Sequence, residues 1–222
     1  MLMRILKRPE ERRSEILDAA EFLFGTKGYS KTTVNDILRR IGIAKGTFYY
    51  YFQSKEEVMD AIVMRFMNIG LAAAKGIAAN PKLNSHEKIY QIIMAQNQDS
   101  SRKDQIIEQL HRVDNAEMHQ KSLVQTILLL TPILAGVVEQ GIKEGIFNTP
   151  APKEVVEFLL VSSQFLLDTG LFQWEPAEII KKAKAFAYII ETTLGAEKGS
   201  FSYIPRMYEQ MLKDQISASE RM

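Results

Sequence analysis

The sequence predicts an all-α protein on three observations. Apolar residues recur at the helical period along most of the chain, and no stretch alternates apolar with polar as a half-buried strand does. Helix breakers are sparse, with 12 glycines and 7 prolines among 222 residues. Leu, Ile, Ala, Glu, Lys and Gln dominate the remainder, a mixture that favours helices. A hydrophobic fraction of 46% with 25% charged residues is that of an ordinary globular chain, long enough for one large or two modest domains.

The first helix is predicted from Glu10. Ile16, Ala19, Ala20 and Leu23 fall at i, i+3, i+4 and i+7, Leu17 and Phe24 broaden the stripe, and Gly28 is the stop signal. Thr33 then offers an N-cap hydroxyl with Asp36 three residues on, a variant of the capping box. The helix it opens turns Val34, Ile37, Leu38 and Ile41 inward and ends at Gly42. A third helix follows at once, from Ala44 to about Tyr51; two short helices across a glycine turn are the mark of a helix-turn-helix. Ser54 and Glu57 form a second capping box, and Met59, Ile62, Val63 and Phe66 carry the period toward the break at Asn80 and Pro81. Further helices are predicted at 84–99, 103–114, 119–145, 152–173 and 176–194, the last on Ala183, Phe186, Ala187 and Ile190. A linker over 195–203 precedes an amphipathic tail helix at 205–217, which could equally cap a pocket or brace a dimer.

Several function classes fall away. Without cysteine there are no disulfides, thiolate metal sites or cysteine nucleophiles. The basic N-terminus is not followed by an apolar segment of signal-peptide kind. The longest apolar run, 127–138, contains Thr131 and Pro132 and falls short of the roughly 20 residues that cross a bilayer, so it reads as buried core and no membrane partner is expected. The histidines are His86, His111 and His119, and Glu108 with His111 makes a single Glu-x-x-His where a di-iron bundle needs two. There is no phosphate-binding glycine loop, no His-Glu-x-x-His and no Gly-x-Ser-x-Gly. The expectation is therefore no enzyme, no cofactor and no metal.

Charge is unevenly placed. Residues 1–52 carry ten Lys and Arg against six acids, while the rest is slightly acidic. A basic head on an acidic body suits a small nucleic-acid-binding domain joined to one that does not touch nucleic acid, though a solvated surface would look the same. Arg4, Lys7 and Arg8 fit a basic arm and plain solvated charge equally well. Residues 44–52 are more pointed. Gly46 inside a helix costs about 1 kcal/mol relative to alanine, and Tyr49, Tyr50 and Tyr51 cannot all be buried because they point around more than half the helix. Both make sense if one face lies on DNA. There glycine admits a phosphate to the backbone, tyrosine hydroxyls donate to phosphate oxygens, and Lys45 supplies charge. Phe48 and Phe52, four apart, anchor the opposite face in the core.

Residues 10–62, above all TTVNDILRRIGIAKGTFYYYFQSKEEVMDAI, resemble the DNA-binding domain of the TetR family of regulators. The resemblance implies a homodimer, a three-helix helix-turn-helix domain over 1–55, and a larger helical effector-binding and dimerisation domain over 56–222. It implies that Thr33 caps the motif's first helix and touches phosphate, and that Ala44, Lys45 and Gly46 open the recognition helix. Thr47, Tyr49 and Tyr50 would contact bases or phosphates, Tyr51 replaces a position that is often histidine, and Lys55 would reach a flanking phosphate. Ala44 stands where a hydroxyl residue is common, which leaves one cap or phosphate contact in doubt.

The second domain rests on architecture alone. Candidate effector contacts are Met64, Phe66, Met67, Tyr90, Met94, Asn97, Met118 and Phe147, since methionine adapts to varied shapes and Asn97 can orient a polar group. Candidate dimer contacts are Val155, Phe158, Leu159, Ser162, Phe165, Leu166, Phe186 and Ile190, with the side that meets the partner left open. The expected function is a cytoplasmic, ligand-responsive repressor, released from a pseudo-palindromic double-stranded operator by a small, mainly apolar effector. The alternatives are a constitutive DNA-binding regulator and, as the remoter one, a helical-bundle enzyme.

Overall fold

The computed structural model describes residues 8–96, 115–168 and 170–219, with side chains through Asp214. Among them the fold is all-α, with nine α-helices and no strand: α1 (Pro9–Lys27), α2 (Val34–Ile41), α3 (Lys45–Tyr51), α4 (Lys55–Ala78), α5 (Ser85–Gln96), α6 (Ala116–Glu144), α7 (Pro152–Val161), α8 (Pro176–Leu194) and α9 (Tyr203–Ser219). The helix predicted at 103–114, together with Arg4, Lys7, Asn97, Glu108 and His111, lies outside the described residues.

The chain forms two compact units. The first takes the described residues up to Ile69 together with 115–125, and the second takes 70–96 and 126–219; the chain passes between them within α4 and within α6. The core of the first unit is built by the stripe predicted for α1, joined by Ile37, Phe48, Phe52, Val58, Met59, Ile62 and Met118. The second core gathers Leu71, Ile92, Val137, Val138, Phe147, Val156, Ile190, Leu194 and Phe201. α4 and α6 are long and apolar enough to cross a membrane by length and composition. Val58, Met59 and Ile62 of α4 and Val137 and Val138 of α6 are instead core residues.

Local chemistry sets the helix ends. The Thr33 hydroxyl accepts from Asp36 N at 3.2 Å while Asp36 Oδ2 accepts from Thr33 N at 2.9 Å, completing the predicted capping box. Gly42 closes α2 at φ 67°, ψ 36°, a left-handed conformation that glycine adopts without Cβ strain. Ser54 caps α4 by accepting from Glu57 N at 3.1 Å, but the reciprocal bond lands one residue earlier, on Gln53 N at 2.6 Å. A further box, Asn84 with Glu87, opens α5.

One predicted helix is shorter than expected. In place of 152–173, α7 stops at Val161, runs into a π-helical turn at Ser162–Leu166, and gives way to a turn held by Asp168. The Asp168 carboxylate accepts from Gly170 N and Leu171 N, and the Trp174 indole donates to Leu166 O at 3.0 Å. Side-chain bonds to local backbone compete with the helical ladder, and apolar periodicity does not report them.

Asp36 also pairs with Lys27 at 2.6 Å and Arg39 at 2.8 Å. The hydrogen bond from Lys27, followed by those from Thr33, holds its carboxyl well below the usual carboxylate range. A depressed folded-state value means that this stabilisation is complete above the unfolded value of about 3.9 and is lost as pH falls below it. Asp36→Asn is expected to lower the Tm near neutral pH, with the gap from wild type closing as pH falls below about 4. A gap independent of pH in thermal melts from pH 3 to 7 would refute this.

Candidate functional site

α3 is held from behind by Phe48 and Phe52, both fully buried, with ring centroids 6.1 Å apart. Phe48 also meets Tyr49 edge to face at 5.4 Å. The opposite side is free of the fold. Ala44, Lys45, Gly46, Tyr49 and Tyr50 are exposed, Tyr50 to 77%. A Cβ built on Gly46 would meet nothing within 4 Å, so neither packing nor positive φ requires glycine there. Ala44 occupies the N-cap without a side-chain hydrogen bond, leaving the first amides of α3 uncapped by protein side chains. Lys45 Nζ lies 5.8 Å from the Tyr49 ring centroid. Tyr50 and Tyr51 meet edge to face at 4.9 Å, and Thr47 is half-buried.

Thr33 and Lys55 are engaged within the fold. Thr33, exposed, caps α2. The Lys55 ammonium donates to Tyr29 O at 2.9 Å and sits 4.0 Å from the Tyr29 ring centroid. Burial, and then the Glu56 carboxylate, push the Tyr29 phenol above its ordinary range. Several other first-unit cations near α1 and α2 are engaged internally, among them Lys27 and Arg39 on Asp36, and Arg40 on the Phe22 ring 3.6 Å away.

The second unit contains a partly open cavity of about 350 Å³ bounded by α5, α6, α7, the π-helical turn, α8, Phe201 and α9. Its wall is mainly aliphatic, with Ile92, Leu130, Leu134, Leu160, Phe186 and Ile204 among its residues. None of the seven described effector candidates is among its lining residues. Phe66, Met67 and Met118 belong to the first core, Phe147 is buried in the second, and Met64 and Met94 are half-buried. Tyr90 is exposed, with its ring 4.9 Å from that of Tyr203.

The eight dimer candidates divide. Leu159, Phe186 and Ile190 face the cavity, and Val155 packs on the second core. Phe158, Ser162, Phe165 and Leu166 are exposed, Phe158 to 75%. Val161 beside them, and Tyr188 and Ile189 on α8, are exposed as well. Sequence periodicity did not pick out these three, because an outward apolar residue on a helix with two apolar sides breaks no pattern.

Residues 16–62 match the bacterial regulatory proteins of the tetR family, and residues 97–189 match the tetracyclin repressor-like C-terminal domain. Over 164 residues the chain is 31% identical to the HTH-type transcriptional repressor KstR2 of Rhodococcus jostii (strain RHA1), covering 72% of this chain and 76% of that one. A TetR/AcrR-family transcriptional regulator from Thermobifida fusca YX-ER1 superposes with a TM-score of 0.53 at 26% identity, over 83% of this chain and 97% of that one. SmeT, the repressor of the Stenotrophomonas maltophilia multidrug efflux pump SmeDEF, superposes with a TM-score of 0.61 at 20% identity, over 85% and 92% of the two chains. SmeT has also been solved as a complex with triclosan.

Proposed function

The chain belongs to the TetR family of transcriptional regulators, and from that premise we propose that it is a cytoplasmic homodimeric repressor, released from its operator by a small, mainly apolar effector. It is a ligand-responsive DNA-binding regulator. The observation that carries its reading of DNA is the outward face of α3, where Lys45, Gly46, Tyr49 and Tyr50 are exposed and the fold makes no demand for glycine. Gly46 lets a phosphate approach the backbone at the uncapped helix start, Ala44 keeps that approach clear, and Lys45, Thr47, Tyr49 and Tyr50 supply donors to phosphates or base edges. Thr33, exposed at the start of α2, and Tyr51 at the end of α3 add further donors, and Lys55 adds positive charge from its seat on the Tyr29 carbonyl.

The exposed apolar faces of α7 with its π-helical turn and of α8 suit a two-fold dimer, which sets two recognition helices about 34 Å apart on a pseudo-palindrome. The cavity of the second unit is the effector site. Its volume falls in the range of roughly 300–1,000 Å³ common for small-molecule pockets, and SmeT, which shares the fold, holds triclosan. Effector acts by favouring a state whose two heads are spaced wrongly for the operator.

Gly46→Ala separates this reading from ordinary packing. Alanine there is expected to leave stability unchanged or raise it by up to about 1 kcal/mol, while binding to DNA from the chain's own upstream region falls. The measurement is a salt series of binding isotherms beside a urea titration. Undiminished specific binding by Gly46→Ala would remove α3 from the interface.

A further inference from the structure

The cavity wall contains five polar side chains and no acid or base: Gln96, Thr126, Ser163, Gln164 and Tyr208 stand among aliphatic neighbours. Three of the five are already engaged. Gln96 Nε2 donates to Gly70 O at 3.1 Å, Ser163 Oγ donates to Leu160 O at 3.1 Å, and Thr126 has a protein partner too. The Gln164 amide and the Tyr208 hydroxyl make no hydrogen bond among the described residues.

Each is brought to the wall by a local feature. Gln164 sits within the π-helical turn Ser162–Leu166, whose wider winding shifts the side chains after it from the register of α7. Tyr208 comes from α9, the tail helix, which contributes Ile204 and Met207 to the same wall. Burial, and then the nearby Asp168 carboxylate, push the Tyr208 phenol up to about 12, so it remains a donor at neutral pH. Both side chains are half-buried, so their amide and phenol have hydrogen-bonding capacity that a molecule in the cavity can use. An ionised ligand would lose its hydration against a wall that itself holds no charged side chain, which is costly for either sign. For an anion, the Asp168 charge beside Tyr208 adds repulsion.

We propose that the cavity takes an uncharged, largely apolar molecule with a carbonyl or hydroxyl oxygen, and that Tyr208 and Gln164 together bind that oxygen. This rests on the effector-site reading above and deepens it. The Tyr208 hydroxyl donates to the oxygen, the Gln164 amide donates to a carbonyl or accepts from a hydroxyl, and the aliphatic wall holds the rest. The tail helix thereby has a role: it carries one of the two groups that select the ligand.

The test uses the whole chain of 222 residues and four probes of similar chain length, each below its micellar concentration at pH 7.5: 2-undecanone, 1-decanol, decanoate and decylammonium. Calorimetric titration is expected to show the ketone and the alcohol binding at least tenfold more tightly than either ion. Gln164→Leu and Tyr208→Phe replace polar groups by apolar ones of similar shape, and each is expected to weaken the ketone about three- to tenfold. Thermal melts establish that the variants fold, and Tyr208→Phe alone suffices if Gln164→Leu does not. Ions bound as tightly as the neutral probes, or variants that hold the ketone with unchanged affinity, would overturn the proposal while leaving the cavity as the effector site. Binding of none of the four would overturn both. A probe that releases the operator and binds Leu134→Phe as tightly as wild type would place the effector site elsewhere and overturn both readings.

Discussion

Phe48→Ala is expected to destabilise the first unit by about 3–5 kcal/mol. Phe48 is fully buried, meets Phe52 and Tyr49 through its ring, and is the buried residue of α3. Truncation removes the contact that turns the short helix outward, and seven residues are too few to hold a helix without tertiary packing. The urea midpoint should fall sharply and specific DNA binding should fall with it, because the exposed tyrosines lose their platform. A loss below about 1 kcal/mol would mean that α3 is anchored by something other than this aromatic cluster.

Tyr50→Ala and Lys45→Ala should behave in the opposite way. Both side chains are exposed, so stability is expected to change by less than about 0.5 kcal/mol. A hydrogen bond from tyrosine to a charged phosphate is worth about 1.5–3 kcal/mol, so Tyr50→Ala should weaken operator binding by roughly ten- to a hundredfold. Lys45→Ala should in addition reduce the slope of log affinity against log salt by about one. The pair of substitutions separates a donor from a charge. Equal affinities of wild type and both variants across the salt series would take Lys45 and Tyr50 out of the interface.

Much of the first unit was legible in the sequence because its signals are local. Thr33 with Asp36, Gly42, and the pair Phe48 and Phe52 each act within four residues, and each does in the structure what its spacing implied. The second unit is set by long-range packing. The candidate wall residues Phe66, Met67 and Met118 pack in or against the first core and Met64 is half-buried; a wall and a core are both apolar, and only the third dimension separates them. The polar groups at the cavity were out of reach for a related reason. Gln164 reaches the wall from a π-helical turn that no apolar period encodes, and Tyr208 reaches it from a tail helix far along the chain.

Asn115 has a consequence for how such heads can be exchanged between proteins. Its carboxamide accepts from Tyr29 N at 2.7 Å and donates to Phe24 O at 3.3 Å, while Met118 fills the same core and Lys121 pairs with Asp60 at 2.7 Å. The turn that joins α1 to α2 is therefore finished by a residue 86 positions beyond Tyr29 and 91 beyond Phe24. A chimera that transplants only the N-terminal helices onto a foreign body leaves the Tyr29 amide and the Phe24 carbonyl without that partner and opens the slot of Met118. Modular grafting of this head, by recombination or by design, has to carry the 115–121 segment with it or supply an equivalent from the new host.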